Sequence, residues 1–192
     1  EAALISLVKN PNVVSIEEDI PVPPTLMNSV PLIGADNAWN AGYTGSGWTV
    51  AILDTGVENT HPFLSGKVVS EACYSTDSWL DNASPVCPNG QESQTGSGSG
   101  VNCDISIYGC DHGTHVAGIA AGKGSTFSGV AKDANIIAIQ VFSRIDDGLI
   151  ITPCSDNGLP SPCALTYTSD HILGLEQVYN LRSSYNIAAV NM

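Results

Sequence analysis

Charge is scarce in this chain. Only 13% of its 192 residues are Asp, Glu, Lys or Arg, about half the usual share. Basic residues are the scarcest: six Lys and Arg stand against nineteen Asp and Glu, a formal net charge of −13. Such a chain repels a phosphate backbone and an anionic bilayer, which excludes nucleic acid and membrane as partners. No apolar run reaches the roughly 18 residues of a membrane-spanning helix. No internal repeat is visible, and no C-x-x-C occurs. A start methionine is also lacking: position 1 is Glu1, and upstream sequence is expected.

What is present is apolar and patterned. Hydrophobic residues make up 43%, enough for a sizeable core and too regular for intrinsic disorder. The length fits one domain plus a remnant. Six cysteines, at 73, 87, 103, 110, 154 and 163, stand in Gly-, Ser- and Pro-rich sequence. An even number without a metal-type spacing implies disulfides and an oxidising compartment. Six cysteines allow 15 connectivities. Pairing each with its sequence neighbour, so that every bridge brackets one loop-like segment, predicts Cys73–Cys87, Cys103–Cys110 and Cys154–Cys163.

Residues 1–26 differ from the rest. Leu4, Leu7 and Val8 mark one face of a short helix, which Asn10-Pro11 ends. Val13 to Ile16 reads as a strand, followed by Glu17-Glu18-Asp19. Ile20-Pro21-Val22-Pro23-Pro24 is extended, since its prolines bar helix and central strand.

From Trp48 the pattern is α/β. Trp48 to Leu53 is a continuous apolar run, as in a strand buried on both faces of a parallel sheet. Gly66 to Glu71 reads as a second strand and residues 72–110 as loop. His112 to Gly122 reads as a helix with Asp111 as N-cap, and Asn135 to Phe142 as another buried strand. Residues 143–168 read as a long loop, Ser169 to Tyr185 as a helix, and Ile187 to Met192 as a further strand. Alternating strands and helices predict a parallel sheet wrapped by helices.

Asp54 directly follows the first buried strand, the sheet edge where α/β sites form. A lone Asp-Thr-Gly is also the aspartic-protease signature. That chemistry needs two carboxylates sharing a proton, and only one such motif is present. The stronger signal is Asp111-His112-Gly113-Thr114-His115-Val116-Ala117-Gly118. His112 falls at a helix N-terminus, where the dipole favours the neutral ring, available as a base. A carboxylate on its other nitrogen would fix the tautomer, and Asp54 is the candidate. Gly113, Ala117, Gly118, Ala120 and Ala121 leave this helix little bulk, which suits tight central packing. Zinc on the His112 and His115 pair near Cys110 is the competing reading, but two residues do not close a tetrahedral site, and disulfides account better for the cysteines. His115 is read as structural, His61 and His171 as surface or loop residues.

At these residues the chain resembles a known family. Val50-Ala51-Ile52-Leu53-Asp54-Thr55-Gly56 and Asp111 to Gly122 are similar to the Asp and His motifs of the subtilases, the subtilisin-like serine endopeptidases. Ala38-Trp39, Gly42 to Gly45, Ser128 to Ala131 and Asn135 to Phe142 fit the intervening segments, so the likeness runs from Met27 onward. It implies an α/β fold with a three-layer, mostly parallel subtilisin-like sheet flanked by helices, incomplete in this fragment. It implies a secreted, extracellular endopeptidase acting on proteins or peptides, with Asp54 as triad carboxylate and His112 as general base. Residues 1–26 resemble the end of the inhibitory propeptide of such enzymes, an intramolecular inhibitor whose tail lies in the substrate groove. Residues 27–192 are then the N-terminal part of the catalytic domain. Cleavage is expected near Leu26–Met27.

Departures from the family pattern carry expectations too. The G-T-S-M-A nucleophile motif and the oxyanion-hole Asn segment are absent from residues 1–192, so both are expected downstream. Residues 1–192 by themselves are expected to hydrolyse no peptide bond. Phe63 stands where calcium-binding subtilisins place an Asp, and the Gly122 to Ser128 loop lacks their Asn ligands. No cofactor or metal ligand is therefore assigned. Asp146, Asp147 and Asp156 are read as solvated loop carboxylates. The alternative to an enzyme is a secreted, disulfide-rich binding module with a degenerate site.

Overall fold

The apolar run after Trp48 forms the centre of a parallel sheet. The computed structural model describes residues 26–192 and, apart from them, the single residue Val13. The helix, strand, acidic and proline-rich segments expected within residues 1–25 lie outside the described residues.

Two short helices come first, α1 (Leu26–Leu32) and α2 (Ala35–Asn40). Strand β1 (Thr49–Asp54) follows, then β2 (Val68–Tyr74), β3 (Ala83–Ser84) and β4 (Ser93–Thr95). Helix α3 (His112–Ala121) leads to β5 (Asn135–Gln140) and β6 (Phe142–Ile145). The chain continues through α4 (Pro153–Asp156), β7 (Cys163–Thr166), α5 (Thr168–Leu181) and β8 (Ile187–Asn191). The main sheet has the order β4-β2-β5-β1-β8, and β3-β6-β7 forms a second, antiparallel sheet. In the main sheet β2, β5, β1 and β8 are parallel, and only β4 runs against its neighbour.

Side chains alternate across β1 and β5, so each strand feeds two cores. Ile52, Ile136 and Ala138 pack with Ala117 and Ala121 of α3 on one face. Ala51, Leu53, Ile137 and Ile139 pack with Val178 of α5 on the other. Gly174 brings α5 close: a Cβ there would sit 3.0 Å from both the Leu53 and Val141 side chains. The result is the expected three-layer arrangement, with α3 and α5 on opposite faces.

Several expectations need correction. Trp48 is half exposed and outside β1, where Gly45 O receives its N–H in a turn. The run Asn135 to Phe142 is two strands rather than one. Gln140, wholly buried, folds back so that its amide donates to Phe142 O while its carbonyl accepts from Phe142 N. That bond takes Phe142 out of the main ladder and turns it into the second sheet. Residues 143–168 hold β6, α4 and β7 rather than one loop, and residues 72–110 hold the end of β2 as well as β3 and β4. Cys73 and Cys163 consequently sit in strands and Cys154 in a helix. The final long helix ends at Leu181, four residues earlier than its pattern predicts.

All three disulfides pair as expected: Cys73–Cys87, Cys103–Cys110 and Cys154–Cys163. Among the described residues no cysteine is free, and no helix is long and apolar enough to cross a membrane.

Candidate active site

Asp54 is the last residue of β1, and His112 the first of α3. The two are 58 positions apart in sequence and meet at hydrogen-bond distance. His112 Nδ1 lies 2.9 Å from both Oδ1 and Oδ2 of Asp54. An ionised carboxylate only accepts, so facing one Nδ1–H is the donor, and a neutral ring then keeps its lone pair on Nε2. The Asp54 side chain is 7% exposed and that of His112 62%. One partner is therefore a buried anchor, and the other presents its reactive edge to solvent.

Each turn is built to bring these groups together. Thr55 N–H donates to Asp54 Oδ1 at 2.7 Å, which fixes the carboxylate. Val141 N–H donates to Asp54 O, tying the end of β1 to the end of β5. Gly56 has φ of 87°, and a Cβ on it would lie 2.1 Å from Val101 O; only glycine makes that turn. A Cβ on Gly113 would lie 2.3 Å from Gly56 O and 3.1 Å from Asp54 Oδ1. The absence of a side chain at Gly113 is thus what lets the α3 terminus approach β1.

Asp111 stands at the helix N-cap position, but its side chain makes no cap bond. The expected local cap is replaced by a distant one: Thr55 Oγ1 accepts from Gly113 N–H at 3.0 Å. In return Thr114 Oγ1 accepts from Glu58 N–H at 2.9 Å. The two motifs are cross-linked by these bonds, a role for Thr55 and Thr114 that composition and spacing do not reveal. A Thr in each motif, one residue after the Asp and two after the His, is the signal that could have found it.

Cys103 and Cys110 bracket the approach to α3. Cys103 N–H donates to Thr55 O at 3.1 Å, and Cys110 stands two residues before His112. Being oxidised, Cys110 is no thiolate ligand for a zinc ion beside His112. His115 is exposed on α3. His61 is exposed and accepts from Phe63 N–H through Nδ1, whereas His171 is half-buried edge-on to Phe142.

Phe63, the residue at which the family likeness raises calcium, lies in apolar surroundings. Phe63 packs against Phe127 with ring centroids 5.1 Å apart, and the turn at Gly122 and Gly124 closes against the Phe63 ring. The two rings offer no oxygen ligands. The loop carboxylates are engaged as well. Arg144 holds Asp146 through two bonds, Ser155 and the Cys154 N–H bind Asp147, and Thr152 binds Asp156.

A carboxylate-oriented imidazole with an open Nε2 can take a proton from a hydroxyl and return it to a leaving group. A sequence profile of the subtilase family matches residues 45–152. The minor extracellular protease Vpr of Bacillus subtilis (strain 168) is 42% identical over 128 residues, covering 67% of this chain and 14% of that protein. Bacillopeptidase F of the same organism is 36% identical, covering 60% of this chain and 8% of that protein. Thermitase of Thermoactinomyces vulgaris is 35% identical, covering 60% of this chain and 33% of that protein. The chain thus spans a third or less of each relative's length.

Proposed function

The chain belongs to the subtilase family, and on that premise we propose that it is the N-terminal part of the catalytic domain of a secreted serine endopeptidase. The single observation that carries this reading is the hydrogen-bonded pair of buried Asp54 and solvent-facing His112. In the proposed reaction His112 Nε2 takes the proton of a serine hydroxyl as the oxygen attacks a peptide carbonyl. Asp54 stabilises the imidazolium that forms. The proton then passes to the departing amine nitrogen as the C–N bond breaks, leaving an acyl-serine that water hydrolyses with the same histidine as base. The serine and the oxyanion-hole donors belong to sequence beyond residue 192. Within residues 1–192 the catalytic roles fall to Asp54 and His112. The substrates are proteins or peptides.

Residues 1–26 are proposed as the end of an inhibitory propeptide, removed near Leu26–Met27. The three disulfides support an extracellular destination, and one relative is named as extracellular. N-terminal sequencing of the mature protein tests the cut, and a start at or beyond Trp48 would overturn it.

The decisive experiment extends the chain past Met192 to include a G-T-S-M-A motif and measures peptide hydrolysis. Activity blocked by a fluorophosphonate is expected. In that protein His112→Ala should nearly abolish turnover, and Asp54→Asn should lower kcat by about 10⁴, the loss seen when a triad histidine is held in the wrong tautomer. Undiminished activity in either variant would refute the assignment.

A further inference from the structure

The small β3-β6-β7 sheet ends in two apolar tips that the catalytic pair does not use. Ser78 and Ala83 close a hairpin through reciprocal backbone bonds, with Trp79 and Leu80 at its tip. After β6, Gly148 N–H donates to Ile151 O and turns a second tip carrying Leu149 and Ile150. β3 and β6 are antiparallel, so the start of one lies beside the end of the other. Asp146 N–H donates to Asn82 O, and a Cβ on Gly148 would lie 2.7 Å from the Asn82 amide nitrogen. The two tips therefore share one end of one sheet. Trp79 is 83% exposed, Leu80 61%, Leu149 105% and Ile150 94%. Single exposed apolar residues are ordinary, but a cluster on adjoining tips marks an interaction surface.

Its surroundings select the partner. Asp77, Asp81 and Asp147 flank the tips, and among the described residues none of the three is in an ion pair. The cation at this end, Arg144, is already held by Asp146. Backbone bonds and disulfides brace the tips: Cys73–Cys87 spans the first, and Cys154–Cys163 closes the segment behind the second. An apolar surface rimmed with uncompensated negative charge complements a segment that is apolar and basic, and it repels an anionic bilayer.

The same sheet reaches toward the active site. Cys163 of β7 pairs with Tyr108, four residues before His112, and Ala164 N–H donates to Tyr108 O. From β3 across β6 and β7 to Tyr108 is three strand spacings, roughly 14 Å, or about four residues of extended chain. We infer that the paired tips at Trp79–Leu80 and Leu149–Ile150 form an exosite that binds an apolar, basic segment of the protein substrate outside the catalytic cleft. This rests on the proteolytic reading above and names the substrate class it favours.

The test uses the chain extended beyond Met192, carrying His112→Ala so that nothing is cut. A synthetic peptide alternating Leu and Arg is titrated by calorimetry, with a Leu–Glu peptide as control. Binding is expected for the Arg peptide, at least tenfold weaker binding for the Glu peptide, and weakening with added salt. Leu149→Ser with Ile150→Ser should lower affinity at least tenfold. In the active protein the same pair should lower kcat/KM for a substrate bearing the Leu–Arg segment and leave a short peptide without it unchanged. Equal binding of both peptides, no binding, or no effect of the Ser variants would overturn the exosite. So would binding to phosphatidylcholine vesicles, or self-association, that the Ser variants abolish. The titration needs no turnover, so an inactive protein that still binds the peptide refutes the proteolytic reading and not the surface.

Discussion

The Thr55 hydroxyl accepts a hydrogen bond from the Gly113 backbone N–H at 3.0 Å, so the residue after Asp54 holds the residue after His112. Thr55 is 2% exposed, so water does not replace the bond. Thr55→Val keeps the shape and leaves a buried N–H unpaired, at a cost of about 1–3 kcal/mol. Thr55→Ser should retain most of the stability. Urea titrations of both variants check this, and equal midpoints for Val and Ser would contradict the capping role.

Gly113→Ala is expected to act on the same junction by crowding. The added methyl would meet Gly56 O at 2.3 Å, and backbone cannot swing aside as a flexible side chain can. A loss of about 1–3 kcal/mol is expected. Displacement of the α3 terminus from Asp54 should also lower kcat/KM in the extended chain at temperatures where the variant remains folded. Thermal melts and initial rates together separate the two effects.

Asp170 gives the protein an unusual acid response. It is 3% exposed in the first turn of α5, and its carboxylate accepts from the backbone N–H and hydroxyl of Thr76. Burial pushes its pKa up, Glu92 adds to the rise, and the Thr76 bonds and His171 oppose it. The folded protein thus keeps this proton to higher pH than the unfolded chain does. The linked stability is full below the unfolded value near 3.8 and is lost as pH rises through the raised folded value. Asp170→Asn removes that titration. As pH rises above the unfolded value, the stability difference between parent and variant should move against the parent. A parallel pair of stability curves would show the group to be uncoupled from folding.

The Cys103–Cys110 bridge should matter more to activity than to stability. It closes a loop of 7 residues, so its contribution is modest, about 2 kcal/mol. Yet Cys103 is bonded to the Thr55 carbonyl and Cys110 leads into His112. Replacing both by Ser should cut turnover of the extended chain by a larger factor than replacing Cys154 and Cys163. Rates measured at matched folded fractions decide it, and the reverse ranking would count against the bridge as a positioning device.

The readable parts of this sequence were those set by burial and local spacing. The run Val50 to Asp54 leaves no choice but a two-sided strand, and the small residues of α3 leave room only for close packing. Short-range pairing placed all three disulfides because the partners stand only 14, 7 and 9 positions apart. What escaped was decided by long-range bonds. Nothing local to Gln140 says that its amide will capture Phe142 and break the strand. Asp111 looks like a cap, but Thr55 reaches the helix terminus from another motif. The second sheet was hidden because β3, β6 and β7 hold only 2, 4 and 4 residues, too few to show an alternation.

The three bridges have a bearing on survival among proteases. They close loops of 14, 7 and 9 residues, and the exposed Trp79–Leu80 tip lies inside the first. A cut at that tip opens the backbone but leaves the two sides joined through sulfur, with β2 still in its ladder beside β5. The secreted endopeptidase proposed above can then carry such a wound without coming apart, and its age would be written in nicks visible only after reduction.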